Sequence, residues 1–143
     1  MKSRQTSIDA IRRFNRTYVP AMRLLDRSYQ DTGMSTLETA ALLEIGEHDG
    51  CSARDISRTL NMDKGYLSRA LSRFEKEGLI TRTPSSTDAR VQTLSLTGSG
   101  KAAEARLTQM GTRIVENAFS DATDEDLAQV AAAMNTVLAF LKR

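Results

Sequence analysis

The 143-residue chain holds a single cysteine, a single histidine and no long apolar run. Cys51 alone can form no intramolecular disulfide, and it cannot build a cysteine zinc site. His48 alone argues against a histidine metal centre or a catalytic triad. No stretch approaches the ~18 apolar residues of a membrane span, and the N-terminus MKSRQTSIDA lacks the apolar core of a signal peptide. A cytoplasmic protein with no membrane partner is therefore expected. No nucleophile–base pair, metal cluster or phosphate loop is visible, so no enzyme, no cofactor and no metal are expected either.

Hydrophobic residues make up 40% and charged residues 27%, the composition of one folded domain with a real core. Net charge is only +2, but it is unevenly distributed. Residues 1–30 hold seven basic and two acidic groups, and residues 31–60 hold two basic and six acidic. From Arg54 to Arg90 there are eight basic and five acidic groups. A DNA-binding protein needs a basic reading surface rather than a basic whole. Ordinary solvated charge would give the same counts, so the motifs must decide.

The most informative stretch is Ser52 to Lys101. Ser52-Ala-Arg-Asp55 has the pattern of a helix cap, followed by a short helix with Ile56 and Leu60 inward. Asn61-Met-Asp63 reads as a turn: Asn61 tolerates the left-handed conformation, and Asp63 caps the next helix. That helix has an apolar stripe at Leu67, Ala70, Leu71 and Phe74, and Gly78 ends it. Ile80–Thr83 reads as a strand, Pro84–Asp88 as a polar loop, and Val91–Leu96 as the return strand, with Leu94 and Leu96 on one face. Thr97 then caps a long helix lined by Ala103, Leu107, Met110 and Ile114. Two short helices followed by a hairpin make a winged helix-turn-helix. The fold class is mainly α with a small β-hairpin wing.

The outward face of the second motif helix holds Lys64, Tyr66, Ser68, Arg69, Ser72, Arg73 and Lys76. Lysine and arginine neutralise phosphates, and arginine pairs bidentately with guanine O6 and N7. Arg69, in the first half of the helix, is assigned to base reading. Lys64 and Ser68 fall near base edges or phosphates, and Arg73 and Lys76 near phosphates. Tyr66 and Ser72 offer hydroxyls to either. In the wing, Arg90 suits a narrow minor groove, and Asp88 is placed to hold its guanidinium. The plainer reading is a solvated face, with Glu75 and Glu77 as counter-charges and an ordinary surface ion pair in the wing.

Helices also flank this stretch. Ile11, Phe14, Tyr18, Met22, Leu25 and Tyr29 form one stripe, with a kink or break expected at Pro20. Arg12, Arg13, Arg16, Arg23 and Arg27 stand opposite. Ser35-Thr-Leu-Glu38 is a capping box opening a helix that ends near Gly46. A last helix begins near Thr123 and carries Leu127, Val130, Ala131, Met134, Val137, Leu138 and Leu141. A chain this size has little left to cover those terminal stripes, so a homodimer is expected; folding back on the same domain is the alternative. The expected organisation is one domain over residues 1–143: a DNA-binding lobe at 35–100 and dimerisation helices at 6–30 and 101–143.

These residues resemble the MarR family of transcriptional regulators. The resemblance rests on Ala53-Arg-Asp-Ile56, Leu67-Ser-Arg69 through Leu71, Glu77-Gly-Leu-Ile80, Asp88-Ala-Arg90, and Leu96-Thr97 with Gly100. Arg13-Phe-Asn15 and Lys64-Gly-Tyr-Leu-Ser-Arg69 are similar to the subgroup often fused to an acetyltransferase domain. With the chain ending at Arg143 and no glycine-rich acyl-CoA loop present, that domain is not expected here. The resemblance implies a homodimer on palindromic double-stranded DNA, acting as a repressor. It also implies release by a small aromatic or anionic ligand, for which Phe14, Arg16 and Tyr18 are the candidate residues. Ala89 departs from the family, where a second basic residue is frequent, which implies a weaker grip by this wing. Two other readings stay open: a thiol redox switch through Cys51, and a dimerising interaction module that does not bind DNA.

Overall fold

The computed structural model describes residues 3–141, excepting the side chains of residues 22–26, 28 and 30. Two compact units can be distinguished, Met1–Thr39 and Ala40–Arg143.

The first unit is dominated by α1 (Arg4–Tyr29), which a 3-10 turn (Gln30–Thr32) follows. The helix runs through Pro20 unbroken, so of the kink or break expected there the break does not occur. A proline removes one backbone hydrogen bond, and the remaining turns of a 26-residue helix carry that loss. Ile8, Ile11, Phe14 and Val19 are exposed, whereas Tyr29 and Met34 are buried. The stripe positions Met22 and Leu25, and Arg23 opposite, lie outside the described side chains. Helix α2 (Thr36–Glu47) opens on the capping box. Glu38 N–H donates to Ser35 Oγ at 3.1 Å, and Ser35 N–H donates to Glu38 Oε2 at 3.0 Å.

The second unit holds the motif. Helix α3 (Ala53–Leu60) has the Ser52–Asp55 capping box, and Asn61 ends it in the left-handed region at φ 48°. Ile56 is fully buried, but Leu60 only half-buried, because the tight turn lifts the last residue of so short a helix towards solvent. Helix α4 (Lys64–Lys76) starts with Tyr66 N–H donating to Asp63 Oδ2 at 2.8 Å. Its stripe of Leu67, Ala70, Leu71 and Phe74 is entirely buried. Each large apolar side chain removed from water contributes about 1.5–3 kcal/mol, so this stripe seats the helix firmly. The helix ends with Leu79 N–H on the Phe74 carbonyl (2.9 Å) and Gly78 N–H on the Glu75 carbonyl (3.1 Å). Gly78 stands at φ 74°, as such an ending requires.

Strands β1 (Ile80–Pro84) and β2 (Gln92–Leu96) pair antiparallel, with Ile80 opposite Leu96 and Pro84 opposite Gln92. The ladder thus takes in Pro84, and the return strand begins at Gln92 rather than Val91. Pro84 sits at the ladder's end, where the missing N–H costs least, and Val91 instead turns its N–H onto the Asp88 carbonyl at 2.9 Å. A feature absent from the sequence reading is a bridge from Cys51 to Leu94 on the outer side of β2. Leu94 N–H donates to the Cys51 carbonyl at 2.8 Å, and Gly50 N–H to the Leu94 carbonyl at 2.9 Å. It ties the segment before α3 to the hairpin.

Helix α5 (Gly98–Ala118) is capped by Thr97 and buries Ala103 and Leu107. Helix α6 (Asp124–Leu141) is capped by Thr123, whose hydroxyl and N–H both bond Asp126. No residue of α6 is buried, and Leu127, Met134, Val137, Leu138, Phe140 and Leu141 are exposed. No helix among the described residues is long and apolar enough to cross a membrane.

Candidate nucleic-acid interface

Helix α4 lies against α3 and β1 through its buried stripe, which leaves the opposite face outward. Lys64, Ser68, Arg69, Ser72 and Lys76 are exposed on it, and Tyr66 and Arg73 are partly covered. The Arg69 guanidinium reaches back over Gly65: Nη1 is 3.5 Å from where a Cβ on Gly65 would stand. Its charge is therefore held over the first turn of α4. Arg73 is engaged, its Nε donating to Glu77 Oε1 at 3.0 Å. Glu75 faces Arg82 of β1, with Nε and Oε2 3.4 Å apart. Both counter-charges named from sequence are thus used, and Arg69 remains the arginine of α4 with no acidic partner among the described ion pairs.

In the wing, Asp88 accepts three bonds from Arg90. The Arg90 N–H and Nε–H reach Oδ1 at 3.1 and 3.2 Å, and Nη2 reaches Oδ2 at 3.4 Å. These bonds, the side-chain ones foremost, hold the Asp88 carboxyl below the usual carboxylate range. The Arg90 side chain is 92% exposed, so it is oriented but uncovered.

Sequence reasoning did not anticipate what stands between the wing and α3. Arg54, Arg82 and Arg90 all border a recess of about 510 Å³, together with the start of α3 at Ser52 and Ala53. Arg54 and Arg82 are distant in sequence, and only the folding of the hairpin brings them together. The one signal was the run of basic residues from Arg54 to Arg90.

The residues suggested for a ligand lie apart from this lobe in sequence, on α1. Phe14 and Tyr18 stack with ring centroids 4.9 Å apart, and Arg16 is exposed. Cys51 is a free thiol. Burial first, then the charges of Asp55, Glu44 and Asp49, push its pKa up to about 11.

The profile of the MarR family matches residues 32–91, a span that takes in α2, α3, α4 and β1. The organic hydroperoxide resistance transcriptional regulator of Bacillus subtilis (strain 168) is 30% identical over 130 residues. That alignment covers 91% of this chain and 82% of the relative. The chain belongs to the MarR family.

Solved structures of the family share the fold along nearly the whole chain. The transcriptional regulator BldR from Sulfolobus solfataricus superimposes with a TM-score of 0.84 at 16% identity, covering 97% of this chain and 99% of that one. A mutant MarR from E.coli complexed with operator DNA gives a TM-score of 0.76 at 21% identity, covering 96% and 99%. The winged helix-turn-helix expected from sequence is the fold of this MarR-family chain.

Proposed function

We propose that the chain is a sequence-specific, DNA-binding transcriptional repressor that works as a homodimer on palindromic operators. The observation that carries this reading is the outward face of α4, with Arg69 over its first turn and its counter-charges spent elsewhere. Arg69 reads a base edge, while Lys64, Tyr66, Ser68 and Ser72 contact bases or phosphates around it. Lys76 serves the backbone, and Arg73 does so from its ion pair with Glu77. Arg90, aimed by Asp88, enters the minor groove. Arg54 joins these as a phosphate contact at the start of α3, where backbone N–H groups favour an anion. That the MarR mutant from E.coli is complexed with operator DNA supports the same use of this fold.

Residues 35–100 form the reading lobe, and residues 6–30 and 101–143 dimerise. The exposed apolar residues of α1 and α6 support a second copy as their cover. Two lobes then stand roughly 34 Å apart and meet half-sites about 10 bp apart. A small aromatic or anionic ligand at Phe14, Arg16 and Tyr18 releases the DNA.

Selection of bound sequences from a random DNA pool tests the reading. A palindrome should emerge, with affinity falling steeply as salt rises. Failure to enrich any sequence, with no salt-dependent binding, would leave the interaction-module alternative in its place. The redox alternative is disfavoured by Cys51 itself: a thiol sensor reacts as thiolate, and this environment opposes the thiolate.

A further inference from the structure

The acidic groups of residues 31–60 have no part in the proposed DNA contacts, yet two of them meet His48 within that stretch. Glu44, Glu47 and His48 each offer one ligand atom, and these atoms lie within 4.8 Å of one another. Helical geometry brings this about, because positions i, i+3 and i+4 share one face. His48 Nδ1 is already 3.1 Å from Glu44 Oε1. Two donors held at about 2.1 Å by one tetrahedral ion stand roughly 3.4 Å apart, so this pair is close to chelating separation.

The surroundings favour a cation. The Glu44 side chain is only 16% exposed, and its one ion-pair partner among the described residues is the imidazole. A largely covered carboxylate with no lysine or arginine partner among the described ion pairs suits a cation. Glu47 has no lysine or arginine partner among the described ion pairs. Glu44 and His48 also line a recess of about 340 Å³ with Cys51, Asp55, Ile56 and Thr59, a wall without lysine or arginine. The cluster occupies the end of α2, where free carbonyls and the helix dipole add negative potential.

We propose that the C-terminal end of α2 carries a divalent transition-metal site, with Glu44, Glu47 and His48 as its protein ligands. An imidazole with two carboxylates is the donor set of a zinc-type ion rather than of calcium or magnesium, which take oxygen alone. The ion sits between His48 Nδ1 and Glu44 Oε1, and the two carboxylates balance its charge. Cys51 lies three positions beyond His48, and its backbone is bonded to Leu94 of β2. All three ligands belong to the last turn of α2 and the residue after it, so an ion here fixes the end of that helix.

The test uses the full chain without a histidine tag, stripped by chelator, with Zn²⁺ as the probe. Calorimetry should show saturable binding. Loss of a residue that only orients a metal ligand costs about 10–100-fold in affinity, so Glu44→Gln and His48→Asn should each weaken binding at least tenfold. Both variants should melt like wild type in chelator, which separates ligand loss from misfolding. His48 is the single histidine, so its ring resonances in the wild-type protein give a second readout, and Zn²⁺ should shift them at stoichiometric amounts. Absence of saturable binding, unchanged affinity in the variants, or unmoved ring signals would each overturn the site.

Discussion

Gly100 lies so close beneath the backbone of Leu79 that a Cβ on it would overlap the Leu79 carbonyl oxygen. The same oxygen accepts the Thr97 N–H at 2.9 Å. The Thr97 hydroxyl donates to the Gly78 carbonyl and accepts the Gly100 N–H at 3.0 Å. The end of α4, the start of β1 and the first turn of α5 are thus fastened at one point. Gly100→Ala must push backbone apart there, and overpacking of this kind costs about 1–3 kcal/mol. Urea denaturation should show a lower midpoint with an unchanged slope. A wild-type midpoint would mean that the contact gives way without cost.

That fastening also marks what can be read from a sequence. The caps at Ser35, Ser52, Asp63 and Thr97, the left-handed Asn61 and the terminal Gly78 were all legible, because each depends on partners within a few residues. The buried stripe of α4 was legible for the same reason. The pairing of Cys51 with Leu94 was not, since neither strand-forming pattern nor spacing links two segments so far apart. The gathering of Arg54 and Arg82 beside Arg90 was hidden likewise. The cluster at the end of α2 was hidden for another reason. A count of histidines and cysteines overlooks the two glutamates that helical spacing places beside His48.

Arg69 should determine sequence preference. Arg69→Ala is expected to cost about 1–3 kcal/mol on the best-bound DNA and to relax selectivity at one position of each half-site. Fluorescence anisotropy on a panel of single-base variants measures both effects. An equal loss on every sequence would reassign Arg69 to the phosphates.

Arg90 and Asp88 should behave as a couple. Arg90→Ala should weaken binding while leaving major-groove preference nearly intact. Asp88→Ala removes the acceptor of three bonds from Arg90, so the exposed guanidinium loses its direction rather than its charge. Its binding should fall less than that of Arg90→Ala, with a nearly wild-type salt slope. Loss of the Arg90 charge should lower that slope by about one if the guanidinium sits at a phosphate-lined groove. Equal affinity of Arg90→Ala and wild type at physiological salt would remove the wing from the interface.

Cys51 should resist alkylation in the folded protein. With its pKa pushed up to about 11, only about 0.1% of the thiol is ionised at pH 8. Unfolding returns it to the ordinary thiol range near 8.5, where roughly a quarter is ionised at that pH. Iodoacetamide, used in chelator, should therefore react far more slowly with native protein than with protein in urea. The native rate should climb as pH rises towards 11. The linkage has a definite sign: folding favours the protonated thiol, so this contribution to stability is fully present below about pH 8.5 and is lost as pH rises through 11. Native alkylation at pH 8 as fast as in urea would show a reactive thiolate, and it would restore the redox reading of this cysteine.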